Sequence, residues 1–365
     1  MNKIGFGFLR LPQVKSGTDN IDWALLNRMT DDFLASGGNY FDTAYTYLDG
    51  RSEEAIRKSV VKRYPRTAFR IADKLPSWKV RTDEDCHTYF EEQLKRCGVD
   101  FFDVYLLHWL NRTNYEIAQR YHEFDFMQQM KAQGKVKRIG FSYHDSAALL
   151  NQILTEHPKV DIVQLQINYL DWDSTGIESG KCYEVAVKHG KSIVVMEPVK
   201  GGTLASLPRE AEKLFTDFQK GNSMASWALR FTQSLEQVEI VLSGMNTLEQ
   251  MSDNMQDVFP LTDEERKLIC QAAEIIKKQT AVPCTGCRYC TEHCPQKISI
   301  PEYFYMYNEL QRYPDDDWKI RPAYDELTIE HGKSSDCIRC GNCERHCPQR
   351  LEISKILKNV ANIFE

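Results

Sequence analysis

Eight of the twelve cysteines lie in two runs near the end of the chain, and both runs have the spacing C-x2-C-x2-C-x3-C-P. Thiolate sulfur is a soft ligand that suits iron. This spacing is typical of proteins in which three close cysteines bind one four-iron, four-sulfur cluster and the fourth, before proline, binds a second cluster. The spacing therefore predicts two 4Fe-4S clusters. The predicted ligands are Cys284, Cys287, Cys290 and Cys347 for the first cluster and Cys337, Cys340, Cys343 and Cys294 for the second.

Two features of these runs leave alternatives open. Zinc is the other metal that cysteine clusters bind, although it usually takes paired C-x2-C motifs rather than triplets with a distant fourth ligand. The 42 residues between Cys294 and Cys337 are more than a compact two-cluster protein carries, which leaves the exchange of the fourth ligand open. This insertion is rich in aromatic residues over 303–327, so we expect it to form one or two helices that pack on the remaining protein or over a cluster.

The composition excludes several classes of protein. A formal net charge of -6 argues against a broad nucleic-acid-binding surface. No apolar run approaches the length that spans a bilayer, and the first twelve residues lack the apolar core of a signal peptide. We therefore expect a cytoplasmic protein that binds neither membranes nor nucleic acids. The four cysteines outside the runs are expected to be buried small side chains: Cys86, Cys97, Cys182 and Cys270.

Short apolar runs, rich in Val, Ile and Phe, recur eight times before the cysteines. Their composition and their polar or glycine boundaries predict buried strands. The runs are 4–8, 39–44, 68–73, 102–108, 136–142, 161–167, 192–198 and 238–244. Amphipathic stretches between them predict helices. These stretches are 21–38, 52–62, 83–97, 116–133, 145–155, 176–189, 222–232 and 246–256, followed by a last helix over 262–279.

Eight strand–helix units within about 250 residues predict an α/β fold, a closed (β/α)8 TIM barrel. The alternative is an open, doubly wound sheet, which usually carries a G-x-G-x-x-G turn after its first strand. This chain has no such turn. We expect residues 1–278 to form the barrel and residues 279–365 an α-helical, ferredoxin-like domain.

Barrel enzymes place their reactive groups at the C-terminal ends of the strands. The end of the second predicted strand carries Asp42 and is followed by Tyr47, the third strand is followed by Lys74, and the fourth ends with His108. One carboxylate, one phenol, one amine and one imidazole are thus expected to converge on one rim. A purely structural alternative is that Asp42 and Lys74 form a buried ion pair.

These four residues resemble the catalytic tetrad of the aldo-keto reductase family. Other segments resemble that family's strand-end sequences, in the same order. They are GFGFLRLP (5–12), FDTAYTYLDGRSEE (41–54), LLHWL (106–110), IGFSYHD (139–145), VQLQINYLD (163–171), MEPVKGG (196–202) and LSGMNTLEQMSDN (242–254). The resemblance covers residues 1 to about 278. With the cysteine runs, the chain is similar to the ferredoxin-fused branch of the family.

The resemblance implies reduction of a carbonyl group with a hydride from a nicotinamide cofactor. Tyr47 is then the general acid, and Lys74 is expected to lower its pKa from about 10. Asp42 would keep Lys74 charged and oriented, and His108 would orient the substrate oxygen.

The resemblance also implies which residues bind the cofactor. Ser142, Gln166 and Asn168 would hold the carboxamide or the ribose. The pyrophosphate and adenosine would lie on Ser243, Gly244, Asn246 and Asn254. Residues 243–254 contain no basic side chain for the 2′-phosphate of NADP, and Gln250 stands where relatives often carry arginine. NAD and NADP both stay open. Lys200 is either a phosphate contact or a solvated loop lysine.

The two halves of the chain suggest different electron chemistry, because hydride transfer moves two electrons and a cluster moves one. The first interpretation is an NAD(P)-dependent enzyme with a fused two-cluster domain that reduces a small carbonyl substrate or oxidises the alcohol. Its clusters would stabilise the fold or exchange electrons with a partner such as a ferredoxin or flavodoxin. The second is an iron–sulfur electron-transfer oxidoreductase that uses the barrel for a flavin or a redox partner. A nicotinamide-binding sensor without turnover is the third, and the complete tetrad argues against it.

Overall fold

The computed structural model describes residues 3–14, 20–256, 259–312 and 317–365. Eight parallel strands form a closed barrel in chain order, and the last strand pairs with the first. This confirms the predicted TIM barrel, and each strand overlaps its predicted run. The strands are β1 (Ile4–Gly7), β2 (Tyr40–Asp42), β3 (Arg70–Leu75), β4 (Phe102–Leu110), β5 (Val136–Tyr143), β6 (Ile162–Gln166), β7 (Ser192–Met196) and β8 (Val238–Ser243).

Helices follow the strands. They are α1 (Trp23–Ala35), α2 (Arg51–Ile56), α3 (Asp83–Cys97), α4 (Arg112–Arg120), α5 (Glu123–Ala132), α6 (Ala147–Glu156), α7 (Ser179–Lys188), α8 (Arg209–Phe218), α9 (Met224–Gln233), α10 (Leu248–Asn254) and α11 (Asp263–Lys278). The C-terminal helices are α12 (Tyr289–Glu292), α13 (Ile300–Arg312), α14 (Asp317–Glu330), α15 (Asn342–Arg345) and α16 (Ile353–Phe364).

Two helix predictions need correction. The single helix predicted over 116–133 is two helices, α4 and α5, separated by His122 with a φ of +47°. A left-handed residue interrupts the helical hydrogen-bond series, so the chain changes direction there. Helix α8 was not predicted.

The barrel interior is filled by side chains from several strands. Val104 and Leu106 of β4 pack with Ile162 of β6 and Ile240 of β8, and all four are buried. In a parallel barrel, alternate residues of each strand point inward, and branched apolar side chains fill the interior. The rigid strands therefore fix the positions of the polar residues at their ends.

The chain divides into two compact units. The barrel unit comprises the described residues of Met1–Pro198 and Ser226–Thr262, and the C-terminal unit comprises Val199–Ala225 with Asp263–Glu365. Packing of α8 against α11 assigns both helices to the C-terminal unit. The division into compact units therefore differs from the predicted domain boundary after residue 278. That boundary stays a prediction about how far each domain extends along the sequence.

The C-terminal unit has its own apolar core. Tyr303 and Phe304 of α13, Tyr324 of α14 and Leu357 of α16 are buried in it. The aromatic insertion between the cysteine runs thus forms helices, as predicted, although residues 313–316 of that prediction lie outside the described residues.

Two further expectations concern the four cysteines outside the runs and helices that could span a membrane. Cys86, Cys97 and Cys182 are buried as predicted, but Cys270 is exposed, because it lies on the outer face of α11. Within the described ranges, no helix combines the length and the apolar composition that crossing a bilayer requires.

Candidate functional site

Lys74 of β3 is completely buried, and its ammonium group is held by two oxygen atoms. Nζ donates to Oδ1 of Asp42 at 2.7 Å and to the carbonyl oxygen of Thr43 at 2.6 Å. Asp42 ends the neighbouring strand β2, so pairing of β2 with β3 brings the two groups together. Burial raises the pKa of Asp42, and the Lys74 charge opposes that shift. A buried ammonium and a buried carboxylate are tolerated because each compensates the other.

Tyr47 lies in the turn after β2 and is buried next to this pair. Lys74 Nζ lies 4.8 Å from the centre of the Tyr47 ring. Burial raises the pKa of Tyr47 well above its usual value, and the nearby carboxylates of Asp42, Asp73 and Glu197 act in the same direction. The net shift is therefore opposite to the lowered pKa that we expected, because loss of water around a phenolate raises the pKa more than one nearby cation lowers it. The phenol stays protonated at neutral pH.

A bulge near the end of β4 positions His108. The register between β4 and β5 shifts between Leu107 and Leu110, and Trp109 has a φ of +60°. A non-glycine residue in this region is strained and needs support from its surroundings. The Trp109 N–H donates to Oγ of Ser142 at 2.7 Å, which supplies that support. Ser142, which we predicted to contact the cofactor, thus also holds the bulge that carries His108.

The His108 imidazole lies beside the phenol. Its ring centre is 5.7 Å from that of Tyr47 and 5.0 Å from that of Trp78. Burial lowers the pKa of His108 well below its ordinary value, and the charges of Lys74 and His144 add to this effect. The ring is therefore neutral at pH 7. Its buried Nδ1 atom makes no hydrogen bond within the described part of the chain, so a ligand oxygen or amide could occupy that position.

Sequence reasoning missed a buried polar network behind Lys74. Gln93 of α3 donates from Nε2 to the carbonyl oxygen of Lys74 and to Oε1 of Glu53, each at 3.0 Å. Tyr105 donates its hydroxyl proton to Oε1 of Gln93 at 2.6 Å. Burial raises the pKa of Asp73 well above its ordinary value, and the adjacent Glu53 charge adds to it. The available signal was the position of Gln93 on the otherwise apolar face of its helix.

The predicted cofactor residues after β6 are largely engaged within the protein. Asn168 donates from Nδ2 to Asp171 at 2.8 Å and to the carbonyl oxygen of Glu197 at 3.2 Å. Its Oδ1 accepts the N–H groups of Leu170 and Asp171. Both polar side-chain atoms of Asn168 are thus used to hold the turn, so the structure does not favour its predicted cofactor contact. Gln166 also donates to Asp171, at 3.0 Å.

The residues after β8 form a small connected loop. Asn254 of α10 donates from Nδ2 to Oγ of Ser243 at 2.9 Å. The Asn246 N–H donates to Oε1 of Gln250 at 2.8 Å, so Gln250 shapes this loop. Gly244 and Asn246 are exposed. The structure therefore brings together the four residues that we predicted to bind the pyrophosphate and adenosine.

A basic residue from elsewhere in the chain lies at this loop. Arg10 follows β1, which pairs with β8 so that Phe6 lies opposite Ser243. A Cβ atom added at Gly244 would lie 3.6 Å from Cβ of Arg10. The sequence did not predict Arg10 at this loop, because the two segments are neighbours only in the closed barrel.

Lys200 belongs to the C-terminal unit and is buried. Its Nζ atom donates to Oε1 of Gln349, two positions after the last cysteine, at 3.0 Å. A Cβ atom at Gly201, which has a φ of +65°, would lie 2.1 Å from the carbonyl oxygen of Thr285. The alternative of a solvated lysine is therefore wrong. We assign Lys200 to the surroundings of the cysteine runs rather than to a phosphate contact.

The cysteines of the two runs are mixed in space. Burial raises the pKa of Cys290 far above its ordinary value, and charges on Cys287, Cys284, Cys347 and Cys343 contribute. Cys347 of the second run therefore lies beside the first run. Burial, Glu344 and two cysteines raise the pKa of Cys343 to about 11. Those two cysteines are Cys337 of its own run and Cys294 of the first run.

A pocket lies at the second of these groups, and its lining includes Cys294, Cys337, Cys340 and Cys343. These are the four predicted ligands of the second cluster. Among the residues that the structure describes, no three His, Cys, Asp or Glu side chains converge on the position of a single metal ion. The four cysteines surround a volume instead, which fits a cluster that bridges them.

Comparison with known proteins decides the family. Residues 3–274 match the model of the aldo/keto reductase family. The chain belongs to the aldo/keto reductase family. Residues 283–351 match the model of the 4Fe-4S dicluster domain. The protein is therefore an oxidoreductase of the aldo/keto reductase family with a C-terminal iron–sulfur domain, and the domain match does not support the zinc alternative.

Several members of the family are similar to this chain over most of their length. The uncharacterized oxidoreductase YqkF of Bacillus subtilis is 23% identical over 302 residues, which cover 74% of this chain and 92% of YqkF. An NADH-specific methylglyoxal reductase of Escherichia coli is 22% identical, with 66% of this chain and 85% of that protein covered. The structure of an aldo-keto reductase from Klebsiella pneumoniae in complex with NADPH superposes with a TM-score of 0.59 at 21% identity. That superposition covers 75% of this chain and 90% of the other and shows the shared fold.

Proposed function

We propose that the protein reduces a small carbonyl compound, or oxidises the corresponding alcohol, with a nicotinamide cofactor and Tyr47 as the general acid or base. The observation that carries this proposal is the fully buried Lys74 ammonium, held by Asp42 at 2.7 Å and lying 4.8 Å from the Tyr47 ring. His108 lies on another side of the same phenol. The bound nicotinamide would supply the hydride.

The residues divide the remaining work. The protonated phenol of Tyr47 donates a proton to the oxygen on which negative charge develops. The Lys74 ammonium stabilises the phenolate that remains, and Asp42 keeps that ammonium in place. The neutral His108 ring donates a hydrogen bond that orients the substrate oxygen. General acid catalysis of this kind is worth about 10²–10⁴-fold.

Replacing Tyr47 by phenylalanine tests the assignment. We expect kcat/KM for carbonyl-dependent oxidation of NADH or NADPH to fall by about 10²–10⁴-fold, because the proton donor is lost. Tyr45→Phe is the matched control, because it removes a hydroxyl that donates to Glu92 at 3.1 Å, away from Lys74. It should change kcat/KM by less than about three-fold. If Tyr47→Phe were as active as the control, another group would be the proton donor.

The cofactor site is proposed from the residues that the fold brings to the barrel rim. Ser142 and Gln166 would hold the carboxamide side, and His108 Nδ1 offers a buried polar atom without a protein partner in the described ranges. The loop of Ser243, Gly244, Asn246 and Asn254 would hold the pyrophosphate and adenosine, with Arg10 as the added cation. Because the relatives include an NADH-specific reductase and an NADPH complex, either nucleotide suits the family.

The C-terminal unit is proposed to hold two 4Fe-4S clusters with exchanged fourth ligands. Support comes from the cavity lined by Cys294 together with three cysteines of the second run. Combining Cys294→Ser with Cys337→Ser tests the exchange, because crossed ligands place both changes on one cluster. About half of the iron and one reduced-cluster EPR signal should then remain. Loss of both signals would show that each run binds its own cluster. The control pair, Cys290→Ser with Cys337→Ser, removes one ligand from each cluster and should lose both signals.

The clusters are further proposed to exchange single electrons with a carrier such as a ferredoxin or flavodoxin. A flavin would be needed to couple them to hydride transfer, because it accepts electron pairs and releases single electrons. Anaerobic titration of the cluster-loaded protein with NADH and then NADPH tests the coupling. Bleaching of the cluster absorbance would show that electrons pass from the nicotinamide to the clusters. Absence of bleaching, with clusters that dithionite still reduces, would show that reductase and clusters act separately.

A further inference from the structure

The two cysteine runs have the same spacing, but corresponding positions differ in exposure. Thr285 follows the first cysteine of the first run and is 4% exposed, whereas Ile338 follows the first cysteine of the second run and is 60% exposed. A large apolar side chain is normally buried and a threonine is tolerated at the surface. The second run therefore presents an apolar side chain where the first run has a covered polar one.

The cover over the first run is visible within the C-terminal unit. Gly201 lies against the Thr285 backbone, and Lys200 of the same loop bonds to Gln349. The second run lacks such a cover in the described residues. Ile338, Arg339 and Cys340 are consecutive exposed residues. Cys340 is also the one exposed cysteine of the eight in the two runs, all of which lie in described ranges.

Two arginines lie at this exposed edge. Arg339 lines the cavity that the second group of cysteines surrounds. Arg345 folds back over Gly341, where an added Cβ atom would lie 3.5 Å from its guanidinium nitrogen. The first run has Gly286 and Glu292 at the positions of Arg339 and Arg345. Over the whole run, Arg288 and Glu292 of the first are replaced by Arg339, Arg345 and Glu344 in the second, so the second run carries one more positive charge.

The nearby acids are occupied by local hydrogen bonds. Glu344 accepts from the Ser354 N–H at 2.8 Å and from its hydroxyl at 2.6 Å. Asp336 accepts from the Lys333 N–H at 2.8 Å. Arg339 and Arg345 form no ion pair within the part of the chain that the structure describes. Both cations therefore remain available to attract an acidic surface.

We propose that Ile338, Arg339, Cys340 and Arg345 form a docking surface for a small acidic protein that carries single electrons. The inference rests on the proposed binding of two clusters, and it makes the second cluster the point where electrons enter or leave. In the step, the carrier is oxidised by one electron as the cluster is reduced by one, or the reverse, and no bond forms or breaks. The apolar Ile338 supplies the centre of the contact and the arginines supply its charged rim.

The test is anaerobic stopped-flow reduction of the cluster-loaded full chain by the hydroquinone of an acidic flavodoxin, the probe carrier. The second-order rate constant should fall as ionic strength rises, because opposite charges guide the encounter. Arg339→Glu with Arg345→Glu should lower it by about 10-fold or more at low salt. Lys267→Glu, an exposed cation on α11, is the matched control and should leave it unchanged. Ile338→Ser should lower it with the salt dependence preserved.

Iron content and full reduction by dithionite show first that the clusters are present, so failure of the proposed function is recognised separately. A salt-independent rate constant for the unaltered chain would overturn the docking surface, even if a variant failed to load clusters. Equal effects of the arginine and control variants would also overturn it. A shift of the second cluster's potential in the arginine variant, with an unchanged rate constant, would assign the arginines to charge compensation. Dissociation of a dimer in that variant, with an unchanged rate constant, would identify a second copy of the chain as the occupant.

Discussion

Replacing Asp42 by asparagine removes the charge that holds Lys74 while keeping the shape of the side chain. At 2.7 Å and an effective dielectric constant of about 20, the attraction between the two charges is about 6 kcal/mol. Asparagine avoids part of the cost of burying a carboxylate, and the Thr43 carbonyl oxygen still accepts from Lys74 at 2.6 Å. Breaking a buried pair typically costs about 3–5 kcal/mol. We therefore expect a loss of about 3 kcal/mol in the free energy of unfolding of the barrel.

Catalysis should also suffer, because an ammonium group without its carboxylate no longer has a fixed position beside Tyr47. Urea unfolding followed by fluorescence measures the first effect, and kcat for carbonyl reduction measures the second. Asp103→Asn is the matched control. Asp103 is buried and paired with Arg66 at 2.6 Å and Lys137 at 2.8 Å, but both cations are partly exposed to water, so the control should lose less stability than Asp42→Asn and should keep its kcat. If Asp42→Asn lost less than about 1 kcal/mol, or lost no more activity than the control, the reasoning would be refuted.

Two other changes test burial and cofactor contact. Burial raises the pKa of Glu123, which accepts from the Ser77 hydroxyl at 2.7 Å, to about 7 from an ordinary value near 4.5. The contribution of this group to the free energy of unfolding is fully present below pH 4.5 and is lost as the pH rises through 7, because the folded chain must then bury a carboxylate. The free energy of unfolding of Glu123→Gln should therefore exceed that of the wild type by up to about 3 kcal/mol at pH 8. Urea midpoints between pH 5 and 8 check this, and the same pH dependence in both proteins would contradict it. Arg10→Met should weaken binding of the preferred nucleotide by about 10-fold or more, because a charged contact to phosphate is lost. Nucleotide titration measures this, and an effect equal to that of the exposed control Lys62→Met would exclude Arg10 from the site.

Local patterns in the sequence were sufficient for the parts of the protein that depend on chain neighbours. Strand and helix periodicity predicted the barrel because each element must bury one set of side chains. The order of the strands then placed Asp42, Lys74 and His108 at one rim, because parallel strands of a barrel share their C-terminal end. The spacing of the cysteines indicated clusters because three ligands of each cluster come from one short segment.

Tertiary structure alone decided the features that depend on distant segments and on water. Barrel closure brings Arg10 to Gly244, which no window of the sequence contains. Burial reverses the expected shift in the pKa of Tyr47, since desolvation depends on the whole surroundings of a group. Packing in the C-terminal unit turns Lys200 toward Gln349, and it covers Thr285 while leaving Ile338 exposed. The sequence by itself determined which chemical groups are present and which strand ends carry them. Only the folded chain decided which groups are buried, which are paired and which edge of the C-terminal unit is exposed.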